Sequence, residues 1–156
     1  MHFELTLPAA LANAASTWPG KPAIVEQSSV ITFGELNTRA RQMAKAFIGN
    51  GLESGDRFAI WAPNSSIWQI AALAGQLAGC VLVPLNTRYK SSEANDILSR
   101  SGCKAIFIAD SFLGNDYRAM LGDSNIPHII DINRTEDWAA KSVSEETLQE
   151  RINTIT

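Results

Sequence analysis

Residues 58–83 read FAIWAPNSSIWQIAALAGQLAGCVLV and decide the fold. This stretch holds two continuous apolar runs around a segment with apolar residues at helical spacing, and the chain then repeats the alternation. The apolar runs are 58–62, 80–83, 105–108 and 129–130, and helical patterns lie between them at 66–78, 92–101 and 112–121. Apolar strands that alternate with helices indicate right-handed βαβ units and a largely parallel sheet covered on both faces. The chain is therefore predicted to be an α/β protein.

The N-terminal part adds a helix and a short hairpin. Leucine, alanine and tryptophan residues at helical spacing predict a helix over 7–18. Two short apolar runs, 23–25 and 30–33, are separated by a polar loop and predict a hairpin. Thr32 and Glu35 match a capping box, in which the hydroxyl and the carboxylate satisfy amide groups at a helix start. A further helix is therefore predicted to follow the hairpin directly.

The helical stretch over 67–78 carries a prediction about the size of the whole fold. Its only polar residues are Gln69 and Gln76, and a helix that is apolar all round is usually buried on every side. Four strands and a few helices enclose such a helix poorly. We therefore expect the chain to be the incomplete N-terminal portion of a larger domain, with an exposed apolar surface through which isolated copies self-associate.

Composition and charge exclude several classes of protein. The 156 residues carry a net charge of -3, so the chain lacks the basic footprint of a nucleic-acid-binding protein. No apolar run reaches the length of a membrane span, and Met1–Leu5 lacks the basic start of a signal peptide. The two cysteines are too few for a disulfide framework. This favours a cytoplasmic protein with reduced thiols.

The charge distribution divides the chain near Ile132. Residues 109–156 carry 4 basic and 9 acidic side chains, and their apolar pattern is less regular than that of the preceding part. We expect the compact region to weaken beyond Ile132, with a subdomain over 1–132 and an acidic extension over 133–156. A last helix is predicted to start at Ser144 within this extension.

Most residues of the types that act in catalysis or ligand binding occur at positions in this sequence where a structural role is expected. The sequence contains no glycine-rich dinucleotide motif, no phosphate loop and no nucleophile elbow. Glu93 and Asp96 fall in the first turn of a predicted helix capped by Ser91, where acidic residues suit the helix dipole. The two histidines stand alone in the sequence, so no metal site is predicted. Trp61 and Trp68 are interpreted as core residues, and stacking on a ring-shaped ligand is the alternative.

The polar segment Asn86-Thr87-Arg88-Tyr89-Lys90 is the strongest candidate for a binding site. It follows a buried strand that ends at Pro84, and it precedes a helix. Open α/β sheets bind their ligands at the carboxyl ends of the strands, and an arginine at that edge suits a phosphate or a carboxylate. The alternative is a solvent-exposed loop in which these side chains bind the backbone.

Several short segments together resemble the N-terminal part of the AMP-forming acyl-CoA synthetases, within the adenylate-forming superfamily. The resemblance extends over about residues 8–132. The matching segments are 22–24, 32–36, 51–52, 55–60, 63–65, 77–89 and 93–94. At the position of Asn86 the sequence resembles the acyl-CoA ligases. Amino-acid-activating domains usually carry aspartate at this position. Residues 59–64 and 86–89 most resemble the bacterial branch that activates steroid-derived propanoates and fatty acids.

The resemblance implies a parent enzyme that activates a carboxylic acid with ATP, usually with Mg²⁺, and transfers the acyl group from the adenylate to CoA. By analogy with members whose loops contact the CoA nucleotide, Asn86, Thr87 and Arg88 are expected at the rim of a CoA site. The family's phosphate loop, adenine segment, ribose-binding aspartate and catalytic lysine lie later in its members, and 133–156 leads toward that loop. None of them occurs in this sequence. No catalytic residue is therefore assigned, and the chain alone is expected to be inactive and without a cofactor of its own.

Two other functions fit the same sequence. Besides a truncated acyl-CoA synthetase, the chain fits a self-standing α/β module that binds a nucleotide or an acyl group. It also fits a non-catalytic interaction protein. A module is expected to show a thermal transition that CoA or AMP raises, and an interaction protein is expected to expose apolar surface. The order and spacing of the matching segments favour the first function.

Overall fold

The computed structural model describes residues 6–156. The signal-peptide prediction rests on Met1–Leu5 and lies outside the described residues. In chain order the elements are α1 (Leu7–Thr17), β1 (Pro22–Val25), β2 (Val30–Thr32), α2 (Phe33–Gly49), β3 (Arg57–Trp61), α3 (Ser66–Leu77), β4 (Val81–Pro84), α4 (Ser91–Ser101), β5 (Ala105–Ile108), β6 (Ser111–Phe112), β7 (Asn115–Asp116), α5 (Tyr117–Leu121), β8 (His128–Asp131), α6 (Glu136–Ala139) and α7 (Glu145–Asn153). Within the part of the chain that is described, no helix is long and apolar enough to cross a membrane.

The centre of the fold is a four-stranded parallel sheet with the strand order β4-β3-β5-β8. β3 pairs with β4 on one side, where Phe58 lies opposite Leu82, and with β5 on the other, where Phe58 lies opposite Ala105. β8 extends the sheet, with His128 opposite Ala105. The chain crosses from one side of β3 to the other after β4, which creates a topological switch point. The predicted α/β class and the parallel sheet are confirmed.

Burial separates the central strands from the edge strands. All residues of β5 and residues 58–61 of β3 are buried. Successive side chains of a strand point to opposite faces, so both faces of the sheet are covered at its centre. β4 lies at an edge, and its residue Val81 is 50% exposed. The apolar runs at 58–62 and 105–108 therefore belong to strands without a solvent face, whereas the run at 80–83 belongs to the edge strand β4 and is partly exposed.

α2 and α3 form a packed helical layer. Thr32 and Glu35 make the predicted capping box, in which Thr32 Oγ1 accepts from Glu35 N at 3.3 Å and Glu35 Oε2 accepts from Thr32 N at 2.9 Å. Gly75 allows α3 to lie close against β3, because a Cβ at this position would clash with the Phe58 ring. The apolar stripe of α2 is buried, and its members include Leu36, Ala40, Met43 and Phe47.

The expectation that α3 needs further protein to cover it is wrong. Ala71, Ala74 and Leu77 are buried within this chain, and Gln69 is the single exposed residue of the helix. α1, α2, α7 and the two strands β3 and β4 all contact α3. The chain itself buries most of the helix and leaves Ile67, Trp68 and Leu73 half-buried, which the pattern of one helix does not show.

The N-terminal helix and hairpin lie where they are predicted. β1 and β2 pair antiparallel with Ile24 opposite Ile31, and both isoleucines are buried. The apolar stripe predicted for α1 is wrong in part. Leu11 is buried, whereas Leu7 and Trp18 are exposed at the two ends of the helix.

The prediction that packing weakens beyond Ile132 is also wrong. Trp138 in α6 and Leu148 in α7 are buried in the same apolar core as the sheet. Arg151 of α7 donates to Ala78 O at 3.0 Å and so ties the last helix to the end of α3. The acidic side chains of α6 and α7 are exposed, and the apolar residues of the same helices complete the core.

A hairpin replaces the first half of the helix predicted over 112–121. β6 and β7 pair through Phe112 and Asn115, and α5 has only 5 residues. Leu113 at the tip of the hairpin has φ 52°, and Gly114 has φ 78°. Two successive positive φ angles match the tight two-residue turns of β-hairpins. Leucine is disfavoured in this conformation, so its local sequence does not predict the turn.

Candidate functional site

An open cleft of about 580 Å³ lies at the carboxyl edge of the sheet, beside the switch point. The chain segments that follow β3, β4 and β5 form it. This is the edge at which open α/β sheets bind their ligands. The lining residues are Ala62, Pro63, Asn64, Trp68, Pro84, Leu85, Asn86, Thr87, Arg88, Tyr89, Phe112 and Leu113.

The three residues predicted from the sequence, Asn86, Thr87 and Arg88, lie together in one wall of this cleft. The wall is the turn after β4, and hydrogen bonds hold its backbone. Asn86 O accepts from Tyr89 N at 3.0 Å and from Trp61 Nε1 at 3.0 Å. The Trp61 indole belongs to the buried end of β3, so the turn is attached to a central strand of the sheet.

Asn86 acts on the backbone of its own turn. Its Oδ1 accepts from Arg88 N at 2.9 Å, which is the hydrogen bond of an Asx turn. The alternative interpretation, a loop whose polar side chains bind the backbone, is therefore correct for Asn86. By fixing the Arg88 amide, this side chain sets where the next charged side chain leaves the turn.

Tyr117 fixes the backbone of Thr87, because its hydroxyl donates to Thr87 O at 3.0 Å. The Tyr117 ring is fully buried, and its centroid lies 4.6 Å from that of Trp61. Burial raises the pKa of the Tyr117 hydroxyl, so it remains a donor at neutral pH. The predicted helix over 112–121 did not indicate Tyr117, because a hairpin over residues 111–116 brings this first residue of α5 to the turn. Its position after β5, at the same edge of the sheet, is the signal that points to it.

Arg88 supplies the only charged side chain among the residues that line the cleft. It is exposed, and its guanidinium makes no ion pair or hydrogen bond with the side chains or backbone of residues 6–156. A planar guanidinium binds a phosphate or a carboxylate through two parallel N–H donors. The cleft is therefore suited to a ligand that carries an anionic group.

Pro63, Asn64 and Trp68 form the opposite wall. Ser65 begins α3 as its N-cap, and its Oγ accepts from Trp68 N at 3.2 Å. The core interpretation is confirmed for Trp61, which is fully buried. For Trp68 it is correct only in part, because this side chain is half-buried and lines the cleft.

Acidic groups at this edge have structural roles, as predicted. Glu93 Oε2 accepts from Lys90 N at 2.8 Å, and Asp96 pairs with Arg100 at 3.3 Å. The prediction that Ser91 caps the helix is wrong, since Lys90 is the N-cap and the Ser91 hydroxyl donates to a carbonyl oxygen of α5. Across residues 6–156, no three His, Cys, Asp or Glu side chains are grouped to bind a metal.

The order of the sheet and the composition of the cleft define a class of protein. This is a parallel α/β protein with a cationic cleft at its switch point, built by the segments that follow three strands. A family model described as AMP-binding enzyme matches residues 11–154, and the chain belongs to this family.

Known relatives agree with the resemblance to acyl-CoA synthetases and confirm it. The chain is similar to 3-[(3aS,4S,7aS)-7a-methyl-1,5-dioxo-octahydro-1H-inden-4-yl]propanoyl:CoA ligase of Mycobacterium tuberculosis, with 42% identity over 122 residues, which cover 78% of this chain and 24% of that ligase. The chain thus spans about a quarter or less of the length of the curated relatives it matches.

Solved structures show the same relationship. The chain is similar to a Mycobacterium tuberculosis fatty acyl CoA synthetase, with a TM-score of 0.78 and 25% identity, over 90% of this chain and 29% of that chain. It is also similar to O-succinylbenzoate coenzyme A synthetase from Bacillus subtilis, solved in complex with AMP. The TM-score there is 0.71 with 25% identity, over 86% of this chain and 33% of that chain.

Proposed function

We propose that this chain is the N-terminal part of an AMP-forming acyl-CoA synthetase. The whole protein activates a carboxylic acid with ATP, releases pyrophosphate, and transfers the acyl group from the adenylate to CoA. The observation that carries the proposal is the Arg88 guanidinium in the cleft, which has no partner among residues 6–156, in a chain that is 42% identical to a propanoyl:CoA ligase over 122 residues. The name of that relative supports a propanoate that carries a fused ring system as the substrate class, and the similarity to a fatty acyl CoA synthetase supports a fatty acid as the alternative.

Within this function, Asn86, Thr87 and Arg88 form the rim of the CoA site. CoA carries phosphate groups, and the Arg88 guanidinium binds their oxygens through parallel N–H donors. Asn86 holds the Arg88 amide, and Tyr117 holds the Thr87 carbonyl. The turn is thus ordered before a ligand arrives, which lowers the entropic cost of binding.

We propose that the isolated chain does not form an acyl-adenylate. The departing pyrophosphate needs metal ions and fixed donors that stabilise its charge. The described residues contain no group of three His, Cys, Asp or Glu side chains, and the sequence has no phosphate-loop motif. In this proposal ATP and Mg²⁺ bind elsewhere in the whole protein. We place that protein in the cytoplasm, where free thiols such as those of Cys80 and Cys103 remain reduced.

Titration of the isolated chain with CoA tests the binding site. We expect CoA to bind the unmodified chain, followed by calorimetry or NMR. Arg88→Ala should weaken binding about tenfold, because one bidentate phosphate contact is lost. Arg88→Lys keeps the charge without the planar fork and should restore binding only in part. Arg39→Ala is the control, since Arg39 is an exposed arginine of α2 outside the cleft.

Two results would contradict the proposal. Equal affinity of Arg88→Ala and the unmodified chain for CoA would contradict the assignment of the CoA rim to this cleft. Carboxylate-dependent ATP–pyrophosphate exchange by the isolated chain would show that it contains a complete adenylation site.

Self-association stays a prediction, and the structure changes its expected location. α3 is covered, whereas Val25 and Val30 lie opposite each other in the hairpin and are 70% and 54% exposed. An exposed apolar pair on a short sheet favours association. Sedimentation velocity over a range of concentrations tests this. A single monomeric species throughout would contradict self-association, and a monomer that also binds no apolar dye would contradict the interaction-protein hypothesis.

A further inference from the structure

The carboxylate of Glu26 joins two elements that are far apart in the chain. Its Oε1 accepts from Ser66 N at 2.7 Å, and its Oε2 accepts from Ser66 Oγ at 2.9 Å. Ser29 Oγ also donates to Glu26 Oε2, at 3.3 Å. Both carboxylate oxygens of a hairpin residue therefore bind the first residue of α3.

These contacts satisfy groups that the start of a helix leaves unpaired. The first N–H groups of a helix have no partner within it, and a negative charge near them is favourable. Ser65 Oγ accepts a hydrogen bond from Trp68 N, and the Glu26 carboxylate accepts one from Ser66 N. The hydrogen bond from Ser66 N, together with those from two serine hydroxyls, lowers the pKa of Glu26. Glu26 is therefore charged at neutral pH.

The hairpin is a firm anchor for this carboxylate. Glu26 N donates to Ser29 O at 2.9 Å and closes the hairpin loop. Ile24 and Ile31 bury the inner face of the hairpin in the core. β2 continues into α2 without a loop between them. A displacement of Glu26 would thus disturb the packing of the hairpin.

The segment that Glu26 holds is also one wall of the cleft. Residues 63–64 connect β3 to α3, and Trp68 lies in the first turn of α3, on either side of Ser66. We propose that Glu26 is a positioning residue, which acts through Ser66 to hold this wall in place opposite Arg88. Glu26 itself does not line the cleft. The inference rests on the proposed function, because CoA binding reports it.

Titration of Glu26→Ala with CoA tests the inference. The variant should bind CoA about fivefold more weakly than the unmodified chain, at a temperature where both are folded. Glu26→Gln keeps an acceptor for Ser66 N and offers an amide donor to Ser66 Oγ. It should bind CoA within about twofold of the unmodified chain. Glu35→Ala is the matched control, because the Glu35 carboxylate also accepts from a backbone amide at a helix start, that of Thr32 at 2.9 Å, but outside the cleft.

Both alanine variants should lower the thermal midpoint, and only Glu26→Ala should lower the affinity for CoA. Equal affinity of Glu26→Ala and the unmodified chain overturns the inference and leaves the CoA site in place. An equal loss of affinity in Glu35→Ala overturns it as well, because general loosening would then account for the effect. Absence of CoA binding by the unmodified chain overturns the proposed function, which is a separate result.

If Glu26→Ala does not fold, Ser66→Ala provides the second variant. It keeps the bond from Ser66 N to Glu26 and removes the one from Ser66 Oγ. We expect a loss of CoA affinity of about twofold with the fold intact. Unchanged CoA affinity in Ser66→Ala would contradict the proposed positioning role of Glu26.

Discussion

Trp61 Nε1 donates to Asn86 O at 3.0 Å, so the last residue of β3 holds the turn that carries Arg88. The Trp61 side chain is fully buried, and the Tyr117 ring packs against it. The Trp61 side chain therefore connects the core of the sheet to one wall of the candidate cleft. A change in the core at this point must also reach the cleft.

Trp61→Phe should lower the free energy of unfolding by about 2–4 kcal/mol. The substitution removes a buried donor and leaves a cavity, and it deprives Asn86 O of one partner. Urea denaturation measures the loss of stability, and titration with CoA should show weaker binding. Trp68→Phe is the control, and it should cost less than about 1 kcal/mol because Trp68 is only half-buried. Equal costs would contradict the central role of Trp61.

Asp56 connects the starts of β3 and β5. Its Oδ1 lies 2.8 Å from Lys104 Nζ, and its Oδ2 accepts from Glu53 N at 2.7 Å. Burial raises the pKa of Asp56, but the hydrogen bonds from Lys104 and Glu53 outweigh it and bring the pKa below its ordinary value of 3.8. A carboxyl group with a lowered pKa stabilises the fold above its unfolded pKa, and this contribution is lost as the pH falls through the folded value.

Asp56→Asn should therefore destabilise the chain at pH 7 and not in strong acid. We expect a loss of about 1–2 kcal/mol at pH 7, because Lys104 is half exposed and water screens the pair. Urea denaturation at several pH values measures it, and the difference from the unmodified chain should shrink below pH 3.8. The exposed residue Asp96 serves as the control, since Asp96→Asn should cost less than about 0.5 kcal/mol at any pH. A difference for Asp56→Asn that does not change with pH would contradict the assignment.

Leu148→Ala should lower the free energy of unfolding by about 2–5 kcal/mol. Leu148 is fully buried in α7, and its truncation removes apolar contacts and leaves a cavity in the core. Glu150→Ala on the exposed side of the same helix should change stability by no more than about 0.5 kcal/mol. Chemical denaturation distinguishes the two. Similar small effects would mean that the part beyond Ile132 does not share the core.

The two thiols should be unreactive in the folded chain. Burial raises the pKa of Cys80 to about 12, and it also raises the pKa of Cys103. The thiolate is the reactive form, so little of it is present at pH 8. A chromogenic disulfide reagent should react slowly with the native chain and should titrate both thiols after denaturant is added. Rapid reaction of either thiol without denaturant would contradict their burial.

The strands and the binding turn could be predicted because local patterns encode them. The apolar runs at 58–62 and 105–108 indicate strands that are buried on both faces, and the capping box of Thr32 marks where a helix begins. Asn86, Thr87 and Arg88 were found because parallel strands end at one edge of the sheet. That rule needs only the chain order of strands and polar residues.

Contacts between distant residues could not be predicted in the same way. Thr87 and Tyr117 meet because β4 and β5 lie on either side of β3. Leu113 adopts a positive φ that its own side chain disfavours, so the turn depends on the packing of the hairpin around it.

By itself, the sequence determined the α/β class, the alternation of the four sheet strands with helices, the family resemblance and the candidate residues of one cleft wall. Only the tertiary structure decided what covers α3, where α6 and α7 pack, and which segments complete the cleft. An apolar pattern states that a surface is buried, and it does not name the surface that buries it. That choice depends on how the sheet and the helices meet in space, where residues from distant parts of the chain share one core.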